Sequence, residues 1–400
     1  MNKKNIPEIR FSGFDDEWKN KELGQIYAIK AGDFLSKMDS SDKNKIPIIS
    51  GGVEPLGYTN KSNFEANSIT IARAGSAGYV SFQDKPFWLN DKCFGLTAII
   101  SDIHNYFMYS SLLKNKNNLD SYVTLGTLPT IKSTSLKKVS FNICNISEQN
   151  KIGVLFKNID DLISKTEKQY NYFKNIKESL LNKMFPSNYS NEPEIRFKEF
   201  EDEWSTNRLG NIGTFRSAGV DKIYREHDNR VYMINFMDVY NRKIINEHTY
   251  KYLMKTTATV QECYNCNLIK GDILITPSSE TIGDIGMPLT IKETFTNVVY
   301  SYHLIRFRPN KELFNIYFSD YVLTSEFVRS QMLYKAQGVQ RIVLSKSDFE
   351  DLNIKLPSSA SEQTKIGTFL KNLDDLIELI KQKHEKLKNI KNALLDKMFC

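Results

Sequence analysis

The sequence predicts an α+β fold. It has two mixed α/β domains separated by two long helices that form an antiparallel coiled coil, the whole arranged as an internal pseudo-two-fold repeat. Three observations lead there. A 20-residue segment occurs twice, a 39-residue helical segment closes each half, and the stretches between them are β-rich and unlike one another. A chain of 400 residues is long for one hydrophobic core and comfortable for two domains with connecting elements. The expected boundaries are 1–146, 147–185, 186–360 and 361–400: domain, helix, domain, helix.

The opening segment comes first. Residues 7–26 read PEIRFSGFDDEWKNKELGQI and residues 193–212 read PEIRFKEFEDEWSTNRLGNI, identical at twelve of twenty positions at a constant offset of 186. The identities include Pro7/Pro193, Phe11/Phe197, Trp18/Trp204 and Gly24/Gly210. A repeat of this kind decides architecture before any local reading does.

The bodies are different in kind. In the first, IPIIS, SITIA and CFGLTAII are short β-rich runs punctuated by GG, LGY and AGSAG. In the second, VYMINFMDVY, GDILIT and SYHLIRFR behave similarly. Each body also carries a predicted helix, over 104–115 and 311–334.

The closing elements are helical. Residues 147–185 begin SEQNKIGVLFKNIDDLISK and end KNIKESLLNKMF; residues 361–399 begin SEQTKIGTFLKNLDDLIEL and end KNIKNALLDKMF. Asn145 with Glu148, and Ser359 with Glu362, have the N-cap and N3 spacing of a capping box. Apolar residues then recur at steps of three and four. They are Ile152, Leu155, Ile159, Leu162, Phe173, Ile176 and Leu180 in the first helix. In the second they are Ile366, Phe369, Leu373, Leu376, Ile380, Leu387, Ile390 and Leu394. This is the 3.5-residue period of a coiled-coil seam, with Thr166 and Gln169 as a polar waist in the first helix and Lys383 interrupting the second. Such a helix is a rod of roughly 50 Å. A parallel pair would force the connector back along the rod, consuming about fifteen extended residues. An antiparallel pair avoids this and predicts a spacer with one body at each end.

Bulk properties exclude several classes. The net charge of +7 permits a polyanionic partner without demanding one. No run approaches the roughly twenty apolar residues of a membrane span. The N-terminus has no apolar stretch behind its lysines, so a cytoplasmic protein is expected. Five cysteines at irregular spacing argue against a disulfide scaffold. Cys263 and Cys266 form a C-x-x-C but lack the second pair a structural zinc needs, so no metal site is expected.

With its tandem EIRF…W…LG segments and its two SEQ-x-KIG…L-KN-(I/L)-DDLI helices, the chain resembles the specificity subunits of Type I restriction–modification systems. The stretches IPIISGGVEPLGYTNK (46–61), ITIARAGSAGYV (69–80) and GDILITPSS (271–279) are similar to the target-recognition domains of that family. The resemblance implies a protein that binds an asymmetric, bipartite sequence in double-stranded DNA, one domain per half. Its helices space the domains and dock methyltransferase subunits, and restriction subunits join them. S-adenosylmethionine, ATP and Mg2+ would then belong to the partners, with no cofactor on this chain and no catalysis by it. The residues agree. No N/D-P-P-Y/F loop of an adenine methyltransferase is present, and GVEPLGYT (52–59) has Tyr58 where a P-loop needs lysine.

Candidate DNA-reading residues follow from chemistry. In the first body they are Ser50, Gly51, Gly52, Tyr58, Asn60 and Lys61, where glycine admits close backbone approach and tyrosine, asparagine and lysine offer a flat face, a bidentate edge and a charge. The same loop also reads as an ordinary hairpin with a solvated lysine. Arg73 and Ser76 lie in the next glycine-rich turn, and Lys132, Lys137 and Lys138 suit phosphate or solvent. In the second body Arg216, Lys222, Tyr224 and Arg225 form a basic and aromatic stretch. Ser278 and Ser279 follow a predicted strand, and Gln340 and Arg341 have the side chains that pair with adenine and guanine edges. Two other readings compete: a two-headed coiled-coil adapter for protein partners, and a fused nuclease or methyltransferase. The adapter predicts no salt-dependent DNA affinity; the enzyme predicts turnover by the chain alone.

Overall fold

The computed structural model describes residues 5–37, 40–41 and 43–400. They form two units, Met1–Lys168 with Lys381–Cys400, and Gln169–Ile380. The long helices run Ile146–Lys183 and Ala360–Met398, so each unit contains the head of one and the tail of the other.

In the first unit a four-stranded antiparallel sheet has the order Tyr27–Ala31, Cys93–Ala98, Ser68–Ala72, Val80–Gln83. All five residues of Ser68–Ala72 are buried, as befits an inner strand covered on both faces. Beside it lies a three-stranded sheet, Tyr58–Thr59, Ile46–Ile49, Trp88–Leu89, whose last pair is parallel. The opening segment pairs Lys19–Glu22 with Ser140–Ile143, immediately before the long helix.

The second unit repeats this topology from different residues. Its four-stranded sheet has the order Gly213–Arg216, Ile305–Pro309, Ile273–Ile275, Pro288–Thr290. Its three-stranded sheet is Met254–Ala258, Asn229–Ile234, Val298–Tyr300, again with a parallel last pair. Ser205–Arg208 pairs with Asn353–Leu356. The duplication therefore extends through the bodies, where side-chain identity does not show it.

The repeated residues are the contacts that seat helix on body. Arg10 donates from Nε and Nη2 to the two carboxylate oxygens of Glu148, each at 2.8 Å, and Glu148 is wholly buried. Arg196 does the same to Glu362, at 2.7 and 2.9 Å. The capping boxes are thus half made. Asn145 Oδ1 and Ser359 Oγ accept from the N3 amides, at 3.0 and 3.4 Å, while the N3 carboxylates turn to arginine. The next residue, Gln149 or Gln363, accepts from a body amide (His104 or Asn315) and donates to a body carbonyl. Trp18 packs on Phe107 and Phe399, with centroids at 5.5 and 5.9 Å, and Trp204 packs on Phe318 and Phe185, at 5.9 and 6.0 Å.

Within each unit head and tail are antiparallel. In the first, Asp160 meets Lys391 at 2.6 Å and Thr166 Oγ1 meets His384 Nδ1 at 3.1 Å, so one index falls as the other rises. In the second, Lys177 pairs with Asp374. Tyr106 and Tyr321 donate to the same two aspartates, each at 2.8 Å.

Four expected seam residues fall elsewhere. Leu162, Phe369, Leu376 and Ile390 are 44%, 41%, 39% and 40% exposed. Phe156, Leu370 and Leu395 are buried in the cores, and Ile163 and Ile377 are partly covered. Each helix head is covered by the body on one side and the partner tail on another, which pulls the buried stripe off a strict two-position seam. Two other expectations need correction. The helix expected over 311–334 starts late and is two. Asn315 Oδ1 accepts from the Tyr317 and Phe318 amides, tying 315–318 into a turn. Ser325 takes an extended backbone with Oγ donating to Val322 O, which separates Ser319–Val322 from Glu326–Lys335. The run VYMINFMDVY changes from strand to the helix Phe236–Tyr240, with Asn235 and Asp238 closing a capping box.

Gly153 and Gly367 occupy equivalent places in the two heads. A Cβ on Gly367 would lie 2.5 Å from the Phe318 amide nitrogen, and one on Gly153 2.2 Å from His104 Nδ1. Gly367→Ala is therefore expected to destabilise by about 1–3 kcal/mol through overpacking, despite a helix-propensity gain of about 1 kcal/mol. Gly153→Ala meets the His104 ring, whose Nδ1 accepts from the Phe107 amide, so the ring can yield only by giving up that helix cap and a similar loss is expected. Urea midpoints of the two variants test this; a stabilised Gly367→Ala would refute the contact.

Candidate nucleic-acid interface

In the first unit the turn after the inner strand Ser68–Ala72 meets two other loops. The Ser76 amide donates to Gly51 O at 2.8 Å and the Gly75 amide to Pro129 O at 3.2 Å; the Ile131 amide donates to Arg73 O at 2.9 Å. Arg73 is exposed, with its guanidinium 5.4 Å from the centre of the Phe94 ring and Nη1 donating to Asp91 O. Its amide also donates to Lys92 O. Arg73, Ser76 and exposed Lys92 and Lys132 thus stand on adjoining loops. Lys137 and Lys138 are exposed further along.

Gly51 serves its own chain. It is buried, and a Cβ there would lie 2.0 Å from Ala74 O, so the glycine lets two loops touch. This corrects the expectation of close approach to DNA at that residue. Ser50 is likewise buried, lining a cavity of about 180 Å³ with Ala72, Tyr79 and Cys93. Gly52 is exposed. Tyr58, Asn60 and Lys61 lie at the three-stranded sheet's edge, exposed and without side-chain hydrogen bonds among the described residues.

The second unit has the same loop arrangement. The Leu344 amide donates to Pro277 O at 2.8 Å, as Ile131 does to Arg73. Gln337 and Val343 exchange backbone bonds at 3.2 and 2.8 Å, as Thr124 and Thr130 do at 2.7 and 3.1 Å. Each pair closes a seven-residue loop, QGVQRIV or TLGTLPT. Ser278 and Ser279 are buried in a ladder with Val343 and Ile342, so they build the loop's base and do not face outward. Arg341 Nε donates to Ser278 Oγ at 3.2 Å, and Gln340 beside it is exposed. His303 is held below its ordinary pKa, first by partial burial and then by the positive charges of Lys222 and Arg341. Tyr302, half exposed, lies against the His303 ring at 3.9 Å. Nothing in SYHLIRFR separates this turn from the strand that starts at Ile305.

Arg216 and Arg225 are already engaged within the chain. Arg216 is partly buried with Nε donating to Ala218 O, and Arg225 is ion-paired with Asp221 at 2.6 Å. Tyr224 is exposed. A cleft of about 630 Å³ in this unit is lined by Lys177, Lys292 and Lys371 but equally by Asp320, Asp374 and Asp375, a balance unsuited to a polyanion. The C-x-x-C thiols are free: Cys266 Sγ faces Ala218 O at 3.2 Å, and burial raises the pKa of both. Among the described residues no group of three or more His, Cys, Asp or Glu is placed to hold a metal ion, and no helix is long and apolar enough to cross a membrane.

Each unit thus presents a small rigid sheet, a doubly paired loop and flanking cations, with different side chains at equivalent places. Known proteins are similar to this chain over most of its length. A Mycoplasma pneumoniae protein named as a type I specificity subunit is 21% identical over 387 residues, covering 96% of both chains. A type I restriction enzyme specificity subunit of Methanocaldococcus jannaschii is 24% identical over 351 residues, 84% of this chain and 77% of that one. The crystal structure of the S subunit of a type I restriction–modification system from M. genitalium superposes with a TM-score of 0.71 at 17% identity, covering 99% of each chain. The family described as the Type I restriction modification DNA specificity domain matches residues 15–174 and 201–389, and the chain belongs to it.

Proposed function

We propose that this chain is the DNA-reading subunit of a Type I restriction–modification enzyme, working in the cytoplasm. Each unit reads one half of an asymmetric bipartite target, and the long helices set the interval between halves. Methylation and cleavage belong to methyltransferase and restriction subunits, which bind S-adenosylmethionine, ATP and Mg2+. The observation that carries the reading is the pair of topologically equivalent bodies whose equivalent loops differ in sequence. One scaffold presented twice with different side chains suits two different half-sites. In this reading Arg73, Lys92 and Lys132, and Lys222, Gln340 and Arg341, face the duplex; Tyr58, Asn60 and Lys61 form a second, peripheral contact.

Co-expression with the methyltransferase subunit, followed by long-read mapping of methylated adenines, tests this directly. A single bipartite motif is expected, lost when this chain is omitted; methylation independent of the chain would refute the reading. Affinity should also fall steeply between 50 and 200 mM salt, as phosphate neutralisation requires. Arg341→Ala should cost about 1–3 kcal/mol and relax one half-site, whereas Lys132→Ala should weaken all sequences alike.

A further inference from the structure

The two doubly paired loops share a property their sequences do not advertise. In TLGTLPT, Leu125 is 85% and Leu128 56% exposed; in QGVQRIV, Val339 is 98% exposed. Single exposed aliphatics are ordinary. Here Leu125 is the second and Val339 the third residue of two loops that are closed by equivalent backbone pairs in two otherwise different bodies. Each loop is held at its base by two backbone bonds and anchored to the turn after the inner strand, through Arg73 O or Pro277 O. Cations flank each: Arg73, Lys92 and Lys132 on the loops that adjoin the first, and Arg341 within the second. A polyanion satisfies those cations, and the DNA major groove, which admits an α-helix or a two-stranded ribbon, is wide enough for a seven-residue loop closed by one antiparallel bridge. An aliphatic tip there meets one apolar feature of the base edges, the thymine 5-methyl group.

We infer that the loops Thr124–Thr130 and Gln337–Val343 enter the major groove and that Leu125 and Val339 contact thymine methyl groups, one in each half-site. This rests on the DNA-reading function proposed above. The backbone bonds at its ends fix where each loop leaves the body, and the adjoining cations would meet the phosphates beside it.

The test uses the full chain with its methyltransferase subunit. Leu125→Ala is expected to relax a single A·T position in one half-site of the methylated motif, and Val339→Ala a single A·T position in the other. At those positions, uracil in place of thymine in a duplex carrying the motif should weaken the unaltered complex by about fourfold, the ratio expected for one buried methyl group, and leave the variant's affinity unchanged. Both side chains are solvent-exposed, so the variants should melt with the parent, and a melt confirms it. Unchanged motifs in both variants, a relaxed G·C pair, or an equal uracil effect in parent and variant would each overturn the inference while leaving the DNA-reading function intact. A parent complex with no motif would instead remove that function.

Discussion

Arg10→Ala is expected to destabilise the first unit by about 3–5 kcal/mol, the cost of leaving a buried charge without its partner. Glu148 is fully buried and receives both donors of a two-pronged guanidinium, whose Nη1 also donates to Asp16 O at 2.9 Å. The arginine therefore joins three things: the opening segment, the first turn of the long helix and the carboxylate between them. Removing it strands the carboxylate in a site lined by Cys144 and the helix start. Replacing both partners, Arg10→Met with Glu148→Leu, removes the uncompensated charge and should recover most of the loss. Denaturant midpoints decide it; an Arg10→Ala shift below about 0.5 kcal/mol, the range of ordinary surface changes, would show that the pair is not what seats the helix. The second unit supplies an internal comparison. Glu362 also receives Trp204 Nε1 at 3.3 Å, whereas Trp18 Nε1 is buried without a partner. Arg196→Ala leaves one donor in place and should cost less than Arg10→Ala.

The second large effect lies at the tail of the long helix. Phe399 is 4% exposed and sits between Trp18, Phe107 and Phe156, with ring centroids at 5.9, 5.3 and 5.6 Å. Phe399→Ala opens a cavity among three aromatic rings and should cost about 3–5 kcal/mol. Because Phe399 is the last core residue of the tail, the loss should appear first as local opening. Amide exchange over residues 381–398 is expected to accelerate more than exchange in the strand Ser68–Ala72. Phe185, 3% exposed against Trp204 and Phe318, should behave likewise in the second unit. Uniform exchange across both regions would mean that tail and body unfold as one.

Much of this was legible beforehand, for reasons that can be named. The helices announce themselves through caps and a 3.5-residue period, and the antiparallel packing of head on tail follows from the cost of the connector. The seam was legible only in part. Leu162 and Leu376 match the heptad, yet the body covers one flank of each helix head, so Ile163 and Ile377 are partly covered in their place. The loops were harder. Gly51 and Ser278 have the composition of ligand contacts, but one is needed for its own chain's approach to Ala74 O and the other pairs with Val343. His303 and Tyr302 carried no pattern at all. Tyr106 and Tyr321 make the same bond to the long helices from different places, one residue before Phe107 and three after Phe318, which an alignment of the halves hides.

By itself the sequence determined that the molecule is double, where its helices lie and which family it resembles, because repetition and periodicity are properties of order along the chain. Tertiary structure decided what the repeated residues are for. Arg10 and Glu148 are 138 positions apart, and Trp18 and Phe399 lie at opposite ends of the chain. Each was visibly duplicated, but only folding shows that the duplicated pieces are partners. A charge or a ring is given its partner by long-range packing, and spacing along the chain does not encode that distance. The same physics sorts the loops. Leu125 and Val339 are exposed in loops closed by two backbone bonds each, whereas Ser278 and Ser279 are buried in a ladder.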